Sequence, residues 1–238
     1  MVARSWAEAM GTHPAVSANG WYDPPPRGVA VLSGLSRISF ETLRNEASWP
    51  GEDVVDWDAG ALYGYCSPVN TSDGMPGDFA VTLYFGADPA IRAHFLAAHR
   101  ATRDVLAVAC EESSSRSLFR RSGEIFEAAG LRNCVVSYTD TMPLDLGHTF
   151  PVPTQYGLDG ERRLNAGTRD TIRTSRKFLN DDSDWDLRAS GQFTVEPQLA
   201  SAADPSLPQV TFHYVVDPET GTVLDEPDAI LSEFSLTI

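Results

Sequence analysis

Val54 to Asn70 reads VVDWDAGALYGYCSPVN, and the rest of the chain is arranged around this stretch. Val54 and Val55 lead into Asp56 and Asp58, Ala59-Gly60 marks a turn, and Leu62, Tyr63, Tyr65 and Cys66 form a second extended run. The alternation predicts a β-hairpin. Asp56 and Asp58 stand two residues apart, so on a strand both carboxylates point to one face. That arrangement suits a metal or general-base site. The plain alternative is a pair of edge-strand aspartates in water.

Outward from the hairpin the chain alternates strands and helices. Arg4 to Met10 predicts a short helix, and Asp23-Pro24-Pro25-Pro26 is a stiff extended break. Gly28 to Leu32 predicts a strand, and Ser39 to Ser48 fits strand or helix. Asn70 to Asp78 reads as a loop with turn signals at Asp73-Gly74 and Pro76-Gly77. Phe79 to Phe85 (FAVTLYF) reads as a buried strand.

Asp88-Pro89 opens a helix, an N-cap followed by the one position where proline fits. Ile91, Phe95, Ala98, Thr102, Val105, Leu106 and Ala109 form its inward face. His94 and His99 fall on different faces and read as solvent-facing or locally hydrogen-bonded. A second helix is expected from about Ser115 to Ala129, stopped by Gly130. Asn133 to Tyr138, Phe193 to Pro197, which carries the carboxylate of Glu196, and Val210 to Val216 predict strands. Gln198 to Pro208 reads as a loop, Asp217 to Gly221 as a turn, and Thr222 to Leu224 with the tail to Ile238 as a last strand or closing segment. Strands, then two helices, then strands predict an α+β fold: a curved antiparallel sheet covered on one face by helices. One domain spanning 1–238 is expected, with 1–27 as an irregular lead-in.

Composition narrows the function classes. The chain has 238 residues, 42% of them apolar, enough for a sizeable core. A formal net charge of -15 argues against nucleic acid and anionic membrane surfaces as partners. The three cysteines, Cys66, Cys110 and Cys134, lack metal spacing and read as buried thiols of a reducing compartment. No apolar leader or run of about 18 apolar residues is visible, so a cytoplasmic protein is expected. Residues 161 to 177 carry Arg162, Arg163, Arg169, Arg173, Arg176 and Lys177, a basic island in an acidic chain. It reads as a solvated face or as a clamp for an anion or a substrate carboxylate.

The candidate ligands are Asp56 and Asp58 on the hairpin, His148 after Gly147, and Glu196 after a strand. Carboxylates with an imidazole suit hard or borderline divalent ions such as Mn, Fe, Co or Zn. Such ions can activate a water for hydrolysis.

These blocks, in this order, resemble the pita-bread metallopeptidases: aminopeptidase P, prolidase, methionine aminopeptidase and the metal-free relative creatinase. VDWDAGALYGYCS (55–67) is similar to the family's first-aspartate hairpin. Residues 91–106 are similar to the helix that follows, LDLGHTFP (144–151) to its histidine block, and QFTVEPQL (192–199) to its glutamate block. The resemblance covers roughly residues 28 to 224. It implies a pita-bread fold with a shortened N-terminal part and two metals held by two aspartates, a histidine and two glutamates.

Carried over singly, the first aspartate falls on Asp56 or Asp58. The second falls at Pro68, which cannot bind a metal, so Asn70 or Asp73 would have to substitute. His148 fits the family's substrate-contacting histidine, which puts the ligand position near Asp140 or Thr141. Glu196 matches the first glutamate, as ligand or base. The last glutamate has no counterpart on Val210 to Val216, where His213 is the nearby polar side chain.

The resemblance therefore implies His148, Glu196 and Asp145 as catalytic groups, and Asp56, Asp58, Asp140, Glu196 and His213 as metal ligands. It fits one divalent metal (Mn, Fe, Co or Zn) or none. The implied activity is hydrolysis of peptide or amide bonds, of the Xaa-Pro aminopeptidase or prolidase type. Its alternatives are a repurposed enzyme doing acid/base chemistry on a small molecule and a non-catalytic binding protein. A short peptide or small molecule is the expected partner, and a shortened half with an uncovered apolar sheet face predicts a homodimer.

Overall fold

The computed structural model describes residues 2–17, 29–35, 60–135, 137, 140–151, 166–224 and 226–236. Asp56, Asp58, Asp23 to Pro26, Ser39 to Ser48, Arg162 and Arg163 lie outside the described residues.

The chain runs α1 (Val2–Thr12), β1 (Val16–Ser17), β2 (Val29–Ser33), β3 (Ala61–Cys66), β4 (Val69–Asn70) and β5 (Phe79–Tyr84). Then come α2 (Pro89–Glu111), α3 (Ser115–Ala128), β6 (Leu131–Asn133), α4 (Ala166–Thr174), β7 (Phe193–Val195) and β8 (Gln198–Ser201). β9 (Val210–Thr211), β10 (Tyr214–Asp217), β11 (Thr222–Leu224) and α5 (Glu226–Glu233) close it. This is a mixed α/β fold whose strand pairings are antiparallel throughout the described residues.

Three three-stranded sheets, β2-β3-β5, β6-β8-β9 and β11-β10-β7, form the frame. β3 is buried along its whole length and is the centre of the first sheet. Both its faces are covered, where the sequence predicts one. Trp6 of α1 sits against Gly64 and meets Phe79 edge-on at 6.0 Å. On the opposite face Tyr84 meets Phe95 of α2 at 5.5 Å. A side chain at Gly64 would collide with the Trp6 ring, so glycine at that point of the strand admits the helix.

α2 begins where the Asp88-Pro89 signal puts it, with the Asp88 carboxylate accepting from the Ala90 and Ile91 amides. α3 starts from a Ser114 cap and ends at Gly130, whose φ of +71° is the left-handed stop. His94 and His99 are both buried, contrary to the solvent-facing alternative. Their partners are distant in sequence: the Pro208 carbonyl for His94 and Asp228 of α5 for His99.

Three further differences lie in the C-terminal third. Gln198 to Ser201 is a strand, β8, pairing with β6 and β9, where the sequence reads as loop. The tail forms helix α5, with Pro227 in its first turn. The strand expected over Val210 to Val216 is split. Val210–Thr211 pairs with β8, and Tyr214–Asp217 pairs with β7. Between them Phe212 bridges to Val81, and the His213 amide donates to the Ala80 carbonyl at 3.0 Å. This switch of partners ties β5 to the C-terminal strands and fixes His213 beside the start of β5. No described helix is long and apolar enough to cross a membrane.

Candidate metal centre

Four side chains from four separate stretches converge where these sheets meet. Asp78 precedes the first residue of β5, and Glu196 follows the last residue of β7. His213 lies in the gap between β9 and β10. His148 lies on a short extended segment that bridges Phe178, while the next residue, Thr149, bridges Phe193 of β7.

Local sequence explains each position. Ser67 and Pro68 hold the turn before Asp78: the Gly77 amide donates to the Pro68 carbonyl at 2.6 Å, and the Ser67 hydroxyl to the Gly77 carbonyl at 3.0 Å. The Tyr214–Val195 pairing puts His213 and Glu196 opposite each other just beyond the ladder. His148 is tied to β7 from both sides: its amide donates to the Thr194 hydroxyl at 2.9 Å, and its carbonyl accepts from the Thr194 amide at 2.8 Å. Gly147 makes this approach possible, since a Cβ there would run into the Thr194 carbonyl and hydroxyl.

The four groups alternate as a ring. His148 Nε2 lies 3.2 Å from Asp78 Oδ2 and 3.6 Å from Glu196 Oε1. His213 Nδ1 lies 3.5 Å from Asp78 Oδ1 and 3.4 Å from Glu196 Oε2. Ligand atoms of Asp78, Glu196 and His213 all fall within 4.8 Å of one another. All four side chains are at most 11% exposed.

The electrostatics favour a cation inside this ring. His148 Nδ1 sits 3.0 Å from the Thr149 carbonyl, which only accepts, so Nδ1 carries the hydrogen. Nε2 then meets Asp78 Oδ2 at 3.2 Å, as a second N–H when the ring is protonated and as a lone pair when it is neutral. Burial, with the charge of Arg176, pushes the His148 pKa down and favours that neutral form. Burial pushes the Asp78 carboxyl up, but the two imidazoles beside it, His148 and His213, outweigh burial and hold the group below the usual carboxylate range. Asp78 Oδ1 and His213 Nδ1 are buried without a hydrogen-bond partner, and their 3.5 Å separation is long for such a bond. Buried carboxylate oxygens and imidazole nitrogens left without partners fit a bound divalent ion. Two carboxylates and an imidazole suit Mn, Fe, Co or Zn.

Of the residues expected from the sequence, the structure brings His148, Glu196 and His213 together. Asp140 is elsewhere: its two carboxylate oxygens accept from the Asn180 side chain at 2.9 Å, and one also takes the Met142 amide. Asp145 is fully buried with its carboxylate on the Ser137 amide. Burial pushes its pKa up to about 7, against the hydrogen bonds from Ser137. Asn70 and Asp73, the conceivable substitutes for the ligand lost at Pro68, cap their own turn through Ser72 and Met75.

Asp78 is the candidate ligand that the sequence reading missed. Its signal resembles that of Glu196: a lone carboxylate at the end of an apolar strand, beside a Pro-containing turn. Cys66 lies close enough for the Asp78 charge to act on it; burial, then that charge, push its thiol up to about 12.

No family model and no curated protein matches the chain. Solved structures do. The dipeptidase PepE of Mycobacterium ulcerans matches 94% of this chain and 48% of its own length, at a TM-score of 0.54 and 14% identity. An X-Pro aminopeptidase of Thermotoga maritima MSB8 matches 90% of the chain and 54% of its own length, at a TM-score of 0.50 and 12% identity. The N-terminal domain of the FACT complex subunit SPT16 from Eremothecium gossypii matches 88% and 42%, at a TM-score of 0.52 and 9% identity. These neighbours share a pita-bread-like fold, and the chain spans about half the length of each.

Proposed function

We propose that the chain is a peptidase-like hydrolase of peptide or amide bonds, working with one divalent cation held by Asp78, Glu196 and His213. The observation that carries this reading is the buried ring of alternating carboxylates and imidazoles, with Asp78 Oδ1 and His213 Nδ1 left without hydrogen-bond partners. Peptidases among the fold neighbours support it as a reading of the site, not as an identity.

A divalent ion in such a site supplies Lewis-acid polarisation of the carbonyl and a lowered pKa for an attacking water. The chain's own groups do the rest. Glu196 takes a proton from the water, as a carboxylate beside the reacting atoms can. His148, fixed through Nδ1 to the Thr149 carbonyl, takes that proton from Glu196 on Nε2 and hands it to the leaving nitrogen. Phe150 and Phe178 flank the imidazole edge-on at 5.8 and 6.1 Å and keep water from it.

The test is turnover of Xaa-Pro peptides by metal-stripped protein, with Mn, Co or Zn added back. Hydrolysis restored by metal in the natural chain and lost in E196Q is expected. Hydrolysis indifferent to chelation would instead favour acid/base chemistry centred on His148, whose ring lies between both carboxylates without any ion. Absence of turnover under every metal would overturn the hydrolase reading.

A further inference from the structure

Asp228 and His99 have no part in the chemistry above, yet between them they hold both sequence neighbours of His213. His213 falls in the gap between β9 and β10, where the chain changes pairing partner, and its amide donates to the Ala80 carbonyl. Its imidazole faces the ring. Phe212 and Tyr214 are wholly buried and meet other groups. The His99 imidazole of α2 meets the Phe212 ring edge-on at 5.5 Å. The Tyr214 hydroxyl donates to Asp228 Oδ1 of α5, and His99 Nε2 lies 2.9 Å from the same oxygen. Arg103, one turn along α2 from His99, pairs with Asp228 Oδ2 at 3.2 Å and lies over the Tyr214 ring at 5.9 Å. One carboxylate thus collects a hydroxyl, an imidazole and a guanidinium. Burial opposes its charge, but Tyr214, His99 and Arg103 outweigh burial and hold the Asp228 carboxyl below the usual range. The helix that carries it is itself seated. Leu231 and Leu236 are fully buried, and Arg92, on the same stripe of α2 as His99 and Arg103, donates to the Phe234 and Ser235 carbonyls at 3.2 and 3.3 Å.

From this network we infer that Asp228 is a positioning residue for the candidate metal centre: through Tyr214 and His99 it sets where the His213 imidazole stands. The inference rests on the metal reading of the ring for what His213 holds. A ligand atom serves a metal only within about 0.2 Å of its bond length. His213 sits between two ladders, so the anchors of residues 212 and 214 limit how far its backbone can drift. Outer partners commonly orient a ligating imidazole through its own second nitrogen. Here the restraint comes from the opposite side of the chain, through the two flanking side chains. The C-terminal helix α5 thereby joins the candidate centre without touching it.

The test is titration calorimetry of Co(II) into the metal-stripped full chain, comparing the natural protein with Y214F, D228N and the double variant. D88A, which removes the α2 cap and leaves the network intact, controls for lost stability alone. Y214F and D228N should each bind Co(II) about tenfold weaker or more. The double variant should bind no more weakly than D228N, because both changes break one network. D88A should bind like the natural chain. The visible absorption of bound Co(II) reports ligand geometry rather than folded fraction, and should shift in Y214F but not in D88A. If D228N fails to fold, Y214F, which loses a single oxygen atom, decides alone. Natural affinity with an unshifted spectrum in Y214F, additive losses in the double variant, or equal weakening in D88A overturns the inference. A natural chain that binds no Co(II) sinks the metal reading. The His213 imidazole resonance of the metal-free protein then decides: movement in Y214F and not in D88A upholds the positioning role, and an unmoved resonance overturns it.

Discussion

Asp145 gives a prediction whose size can be worked from its surroundings. Its side chain is wholly buried, one oxygen accepts the Ser137 amide at 2.9 Å, and the other, Oδ1, has no hydrogen-bond partner. Burial raises its pKa from 3.8 to about 7; the hydrogen bonds from Ser137 and the charge of Arg176 pull it back, and the charge of Asp140 adds to it. The folded carboxyl therefore keeps a proton that the unfolded chain has lost. The contribution to stability is fully present below about pH 4, shrinks as pH rises through the window from 4 to 7, and is a constant cost above it. That window is about three pKa units wide, so the cost is on the order of 4 kcal/mol at pH 8. Asp145→Asn keeps an oxygen for the Ser137 amide and has no charge to bury. The measurement is urea unfolding of both proteins followed by tryptophan fluorescence at several pH values. All other titrating groups are shared, so they cancel in the difference. The variant should gain on the natural chain by a few kcal/mol between pH 4.5 and 8. A difference flat with pH would refute the assignment, and a variant that loses ground as pH rises would reverse it.

Other consequences are as direct. A methyl group at Gly147 would meet the Thr194 carbonyl, so Gly147→Ala should destabilise by about 1–3 kcal/mol and weaken cation binding; an unchanged melting temperature would contradict the close packing. The Cys66 thiol, buried and pushed up to about 12, should resist iodoacetamide in the native state while half-buried Cys110 and Cys134 are alkylated first. Mass mapping reads this, and early labelling of Cys66 would contradict it. Asp228 accepts from the Tyr214 hydroxyl and His99 and pairs with Arg103 at 3.2 Å. Asp228→Ala should therefore cost about 2–4 kcal/mol in chemical unfolding, with a loss below 0.5 kcal/mol counting against the network.

How far these features could be read from the sequence depends on how local their causes are. The Asp88-Pro89 start and the Gly130 stop are set within a few residues, and both helices lie where those signals put them. Glu196 stands out because it ends an apolar run, and His213 because it interrupts the expected strand Val210 to Val216 where the resembled family has a ligand. Asp78 carries the same signal, but Pro76-Gly77 before it makes the segment read as plain loop. β8 was hidden for a similar reason: Pro197 and Pro208 bracket it, and its pairing partners Leu131 to Asn133 lie more than sixty residues earlier. Asp140 and Asp145 have the right chemistry and the right neighbours in sequence. Only the tertiary partners, Asn180 for one and Ser137 for the other, take them away from the ring. Convergence of residues 78, 148, 196 and 213 depends on which strands pair, and no stretch of sequence states that by itself.

We propose that the ring formed by Asp78, His148, Glu196 and His213 holds a single divalent ion. Titration calorimetry of metal-stripped protein with Mn, Co and Zn tests it most directly, beside D78N and E196Q variants shown to fold by circular dichroism. One ion bound per chain is expected for at least one of the three metals, with affinity reduced tenfold or more in each variant. Absence of binding for every metal, or binding that both variants retain in full, would contradict it.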